Sequence, residues 1–295
     1  MYCIDAEALS LLRCEAPCAL LQIFELWAMS LNVNQQTVLD LAAALPSHRG
    51  KIKVLTVYGA PLENGAVSDA LMRGVAKGRV GDVTFIRCHL APASLPCLTR
   101  LVQSGCLERL GIDNDFQALF EEGPDLTAFC HALRSSTLQA LELKWCQLWR
   151  DRAAAGELLA ALVGHATMRE ISLPANFVGG ADDARRAAGE QITSLITRNS
   201  TLQKLDLSAN FLGEAGLAPI FEALSRCSTL EKMRFYNETI SRDLARDVIL
   251  PAVRANTSLQ TLDFGSNCTL PELVEAQAIV AARTQPDGGA ITAAT

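Results

Sequence analysis

Residues 202–235 read LQKLDLSANFLGEAGLAPIFEALSRCSTLEKMRF and contain one full period of the chain. Leu202, Leu205 and Leu207 occupy the first, fourth and sixth places, Asn210 the ninth and Leu212 the eleventh, and the frame restarts at Leu230. Apolar residues at the fourth and sixth places alternate as a half-buried strand requires. Leu217, Ile220, Phe221 and Leu224 then recur at the spacing of an amphipathic helix. One period is therefore a short strand, a turn and a helix. Neither the apolar strand face nor the apolar helix face can be covered within a single period. Stacking periods covers both, with the strands in a parallel sheet and the helices as an outer layer.

Sliding the frame along the chain finds it at Leu21, Ile52, Val80, Leu107, Leu138, Met168, Leu202, Leu230 and Leu259. The first, fourth and sixth places of these nine frames make 27 positions, and all 27 are apolar. In a chain that is 49% hydrophobic, chance would produce this on the order of once in 10⁸ trials. The ninth place holds Asn176, Asn210 and Asn267, with Cys88 and Cys146 as the alternative residue type. A side chain there turns inward to satisfy backbone groups left unpaired at the strand end. Met29, Ala60, Asp115 and Glu238 depart from the pattern, so less regular turns are expected at those four places.

The units resemble leucine-rich repeats of the ribonuclease-inhibitor type, in which each repeat pairs a strand with a full α-helix. The stretch beginning at Leu202, with its turn glycines Gly213 and Gly216, is the best match, and the resemblance covers about residues 21–269. It implies an α/β horseshoe solenoid of about nine repeats, with a parallel concave β-sheet and convex helices. The expected organisation is a single domain over 1–283. Within it, 1–20 forms a helical N-terminal cap and 270–283 a C-terminal capping helix, while 284–295 is a flexible tail.

Composition narrows the function classes. With 26 Lys and Arg against 32 Asp and Glu, the net charge is −6, which gives no electrostatic case for nucleic acid or an anionic membrane. No apolar run reaches the length that spans a bilayer. Asp5 and Glu7 stand where a secretory signal carries positive charge, so the start reads as mature protein. The ten cysteines are scattered and imply reduced thiols in a cytoplasmic compartment rather than a disulfide framework. Cys14 and Cys18 lack a second pair at zinc spacing, so no metal is implied. The sequons at Asn199, Asn237, Asn256 and Asn267 are expected to remain unmodified.

Nothing at catalytic spacing stands out, so neither catalytic residues nor a cofactor are expected. His48, His89, His131 and His165 fall in four different units, and Cys130 and His131, adjacent on one helix, point in different directions. The expected function is a monomeric protein-interaction module binding through the concave sheet and the strand-to-helix turns. Places three, five and seven face the concave side. Place seven carries Trp27, Tyr58 and Ile86 in three successive units, and Trp145 and Tyr236 add isolated aromatics. These five are the candidate partner-binding residues, because exposed aromatics dominate interface energetics. The charged concave residues read mainly as a solvated face. The resemblance leaves two alternatives open: a GTPase-activating protein of the leucine-rich-repeat type, and a repeat segment of a larger immune-receptor-like chain. Six lysines among 26 basic residues suggest a GC-rich genome, and with it a bacterial effector translocated into a host cell.

Overall fold

The computed structural model describes residues 35–48, 52–265 and 269–284 in full and the backbone of 23–27. The expected N-terminal cap, the 285–295 part of the tail, the Cys14–Cys18 pair and Asn267 lie outside the described residues. The first four units run β1 (Ile23–Trp27), α1 (Gln35–Ala44), β2 (Val54–Tyr58), α2 (Gly65–Gly78), β3 (Asp82–Ile86), α3 (Leu95–Gln103), β4 (Arg109–Asp113) and α4 (Pro124–Arg134). They continue as β5 (Ala140–Lys144), α5 (Arg152–Leu162), β6 (Glu170–Ser172), α6 (Asp182–Arg198), β7 (Lys204–Asp206), α7 (Gly213–Leu224) and β8 (Lys232–Arg234). The last elements are α8 (Arg242–Leu244), α9 (Leu250–Ala255), β9 (Thr261–Asp263) and α10 (Pro271–Ala282). Among the described residues the strands form one nine-stranded sheet in sequence order, every pair parallel.

The repeat frame explains the core directly. All 24 first, fourth and sixth places with described side chains are at most 5% exposed. Local chemistry sets the helix boundaries: the Asn64 side chain accepts the Ala66 and Val67 amides to start α2, and Asp151 accepts that of Ala154 to start α5. Between α8 and α9 the chain makes a π-helical turn over Ala245–Ile249, just ahead of Pro251. Proline has no N–H and clashes with the carbonyl four residues back, which accounts for the wider turn there.

Two helix contacts depend on the absence of a side chain. A Cβ built on Gly189 of α6 would lie 2.3 Å from the Gly216 carbonyl oxygen of α7, and one on Gly74 of α2 would lie 2.4 Å from that of Ala42 in α1. These helices pack backbone against backbone.

The frame needs correction in the fourth and eighth units. Asp115, at the ninth place, is exposed, and its neighbour Asn114 is 1% exposed and takes over the inward role. Gln117, at the eleventh place, is also exposed, while Leu119 and Phe120 fill the core. Glu238 departs in residue type but not in role, as shown below. The six described cysteines are all free. Burial pushes the Cys88 and Cys130 thiols up to about 12, and Cys146 is raised as well, so these three are inert packing residues. No helix among the described residues is long and apolar enough to cross a membrane.

Candidate protein-binding surface

Each strand leads into a turn whose backbone is bent by left-handed residues. They recur at the eighth place (Arg87, Trp145, Ala175, Ala209, Asn237) and at the tenth (His89, Phe116, Gln147, Phe177, Phe211), with φ between 49° and 66°. The eighth-place amides donate to backbone carbonyls of the next unit, as Trp145 N does to Pro174 O and Ala175 N to Ser208 O, while the inward side chain of the next unit holds amides of the ninth and eleventh places. Asn176 Oδ1 accepts the Cys146 amide at 3.0 Å and the Leu148 amide at 3.3 Å, while its Nδ2 donates to Leu143 O and Leu173 O. Asn210 repeats this, accepting from Asn176 N and donating to Leu173 O and Leu207 O. Asn114 does the same for Leu90 N and O.

On this scaffold four aromatic rings form a continuous ladder. Phe116 and Trp145 have centroids 3.9 Å apart, Trp145 and Phe177 5.2 Å, and Phe177 and Phe211 5.3 Å. Phe116 is 47% exposed and Phe211 45%, whereas the frame phenylalanines Phe85, Phe235 and Phe264 are buried. Bulky side chains rarely adopt positive φ, which costs on the order of 1–3 kcal/mol each. Small or polar residues serve the same turn positions elsewhere in the chain, so the turn itself does not require aromatics. The Gln147 amide donates to the Phe116 carbonyl and ties the ladder together.

The sequence reading missed three of these four residues. Trp145 was expected to be isolated, yet it sits between Phe116 and Phe177. The signal was phenylalanine recurring at the tenth place, 116, 177 and 211, in a turn where the frame requires nothing apolar.

The five expected residues fall into separate places. Trp27, Tyr58 and Ile86 occupy matching register positions on β1, β2 and β3. The side chain of Trp27 lies outside the described residues, and Tyr58 and Ile86 are half-buried. Arg87 caps the Tyr58 ring, with its guanidinium 5.9 Å from the centroid and Nη1 donating to the hydroxyl at 3.0 Å. Tyr236 is half-buried and its hydroxyl donates to Asp263.

The concave charges are more organised than a solvated face. Arg109 bridges Glu142 at 3.0 Å and Glu170 at 3.3 Å, Lys204 reaches Glu170 at 3.2 Å, and Lys144 reaches Asp113 at 2.9 Å. Burial alone would raise the Glu170 carboxyl, but Lys204 and Arg109 together hold it below its ordinary value.

The histidines and the remaining sequons have structural settings. His165 is buried and lowered by desolvation; its Nε2 faces Leu133 O and its Nδ1 accepts the Thr167 amide. That pattern is a neutral imidazole holding a helix-to-strand turn. Cys130 is buried while His131 is exposed. Asn199 and Asn256 are buried, which is incompatible with glycosylation in the folded chain, whereas Asn237 is exposed.

A family model described as "Leucine Rich repeat" matches residues 198–221. The leucine-rich repeat-containing protein LegL7 from Legionella pneumophila shares the fold, with a TM-score of 0.55 at 16% identity over 90% of this chain and 92% of that one. The chain has the leucine-rich-repeat fold. The actin-binding site 2 of leiomodin-1 also matches, with a TM-score of 0.37 at 18% identity over 64% of this chain and 86% of that one. No curated protein sequence matches this leucine-rich-repeat chain.

In leucine-rich repeats the place of Glu238 belongs to Asn or Cys. Here the carboxylate accepts the Asn210, Phe211 and Leu212 amides at 2.7, 2.8 and 2.8 Å, and so holds the turn that carries the last ladder ring. Burial pushes its carboxyl up to about 7, against the opposing effect of those amides. Because the folded value lies above the ordinary 4.5, the folded protein holds this proton more tightly than the unfolded chain does. Its stabilising contribution is complete below about pH 4.5 and is lost as pH rises through about 7. Glu238→Gln keeps an acceptor and removes the charge. The difference in unfolding free energy between variant and wild type is expected to grow in the variant's favour by about 2 kcal/mol between about pH 5 and 8. Urea titrations at several pH values measure it, and a pH-independent difference would remove the buried-carboxyl assignment.

Proposed function

We propose that the chain is a protein-binding module whose contact surface is the aromatic ladder of Phe116, Trp145, Phe177 and Phe211 with the adjoining concave sheet. The observation that carries this reading is the ladder itself. Four touching rings on left-handed backbone add nothing that the buried frame needs, and large aromatics presented on a rigid scaffold are the usual anchors of interfaces. Tyr58, Ile86 and Trp27 on the first strands, and Tyr236 toward the other end, extend the surface along the sheet. The repeat geometry supports the ribonuclease-inhibitor type, and the free, buried thiols support a reducing, cytoplasmic site of action. Delivery into a host cell as a bacterial effector rests on lysine-poor composition alone.

The test compares wild type with Phe116→Ser/Phe211→Ser as bait in extracts, followed by titration of each protein retained selectively by wild type. Loss of both anchors is expected to weaken binding about 30-fold, roughly 2 kcal/mol, with only a small change in melting temperature because both rings are about half exposed. Partners retained equally by both baits would place the interface elsewhere.

A further inference from the structure

Beside the last ladder ring, the concave face changes character. Lys204 on β7 and Lys232 on β8 are register partners on neighbouring strands, and Asp206 is likewise opposite Arg234. These residues line a cleft of about 160 Å³ with Glu170 and Ser172 at its other side. Like charges directly opposite on adjacent strands are unfavourable. Lys204 is relieved by Glu170, which Arg109 shares. Lys232 and Arg234 are both exposed, and among the described residues neither forms an ion pair. Asp206 and Asp263 flank Arg234 in register on the two neighbouring strands, and both accept neutral donors: Asp206 the Ser208 amide, and Asp263 the Tyr236 hydroxyl and the Gly265 amide. The cleft lining thus sets Lys204, Lys232 and Arg234 against Glu170 and Asp206, and on a chain of net charge −6 Lys232 and Arg234 are its basic groups without an ion-pair partner among the described residues.

Resting on the protein-binding reading above, we propose that this cleft receives an acidic segment of the protein partner, with carboxylate side chains on Lys232 and Arg234 and a neighbouring apolar side chain against Phe211. The charge complementarity is specific to this place. Arg109 and Lys144, the basic groups of the preceding strands on this face, are already neutralised by Glu142, Glu170 and Asp113. Arg234 supplies a planar fork suited to a bidentate carboxylate, and Lys232 a point charge beside it. Phe211 belongs to the unit of β7, so one short segment crossing from cleft to rim meets both features.

The experiment uses the whole chain and fluorescein-labelled synthetic peptides read by anisotropy. The probe is a twelve-residue peptide of alternating Glu and Asp around a central Phe-Leu pair; its isostere replaces every carboxylate with Gln or Asn, and a third peptide carries Lys instead. The acidic peptide is expected to bind, to weaken at least about tenfold for Lys232→Glu/Arg234→Glu, and to weaken further as salt rises. The same double variant is expected to gain affinity for the Lys peptide. Its folding is checked by melting temperature, and Lys232→Gln/Arg234→Gln serves if the charge reversal unfolds. Equal binding of the isostere, undiminished binding by the double variant, or absence of acidic-peptide binding each overturns the proposal. If the isostere binds and Phe211→Ser abolishes that binding, the protein-binding reading stands while the acidic-partner assignment falls. If neither the cleft nor the ladder variants alter peptide binding, both fall.

Discussion

Valine at Gly189 is expected to destabilise the protein by at least about 3 kcal/mol, the upper end of overpacking costs. A Cβ there would meet the Gly216 oxygen at 2.3 Å and the Gly216 Cα and carbonyl carbon at 2.9 Å. All three are backbone atoms of α7, so no side-chain rotation relieves the clash and the helices must separate. The close approach is mutual, since a Cβ built on Gly216 would lie 2.8 Å from the Arg185 carbonyl oxygen of α6. Gly65→Ala is the control, since its Cβ would meet nothing within 4 Å and the change is expected to be neutral or mildly stabilising. Urea midpoints measure both. A Gly189→Val shift no larger than that of the control would show that α6 and α7 are not in backbone contact.

Asn210→Ala is expected to cost about 3 kcal/mol. Asn210 is 1% exposed and its amide serves three buried groups, accepting from Asn176 N at 3.0 Å and donating to Leu173 O at 2.8 Å and Leu207 O at 2.7 Å. Alanine supplies neither donor nor acceptor, and each buried group left unpaired costs about 1–3 kcal/mol, with partial relief where water enters. The exposed Ser228→Ala is the control. Hydrogen exchange adds a local readout: the Asn176 amide is expected to exchange faster in the variant even where global stability is restored with osmolyte. A denaturation midpoint shifted no more than in the control would remove the inward role of Asn210.

The architecture was legible because its signal repeats. Three apolar places in nine frames leave little freedom, and the strands pair in the register that the frame dictates. Legibility ended where a residue does its work through geometry rather than type. Asn114 fills the inward role one place early, which a fixed frame reads as a departure at Asp115. Glu238 does with a carboxylate what Asn210 does with an amide, and residue type alone reads that as a defect. The ladder was hidden for a related reason. Phe116, Phe177 and Phe211 are separated by 61 and 34 residues, and only the stacking of turns brings them together. Gly189 carries no chemical signal, since its importance lies in the Gly216 backbone opposite.

The inward side chains impose a direction on the molecule. Leu90 is held by Asn114, 24 residues later; Cys146 by Asn176, 30 later; Asn176 by Asn210, 34 later; and Asn210 by Glu238, 28 later. In each case the turn amides of one unit are satisfied by a residue translated after it. As the chain leaves the ribosome from its N-terminus, the newest turn therefore carries unpaired amides until the following unit has emerged and docked. Growth proceeds with one open turn always at the leading edge. A deletion from the C-terminus reopens the turn of the unit it leaves behind, whereas a deletion of equal length from the N-terminus leaves every remaining turn with its holder.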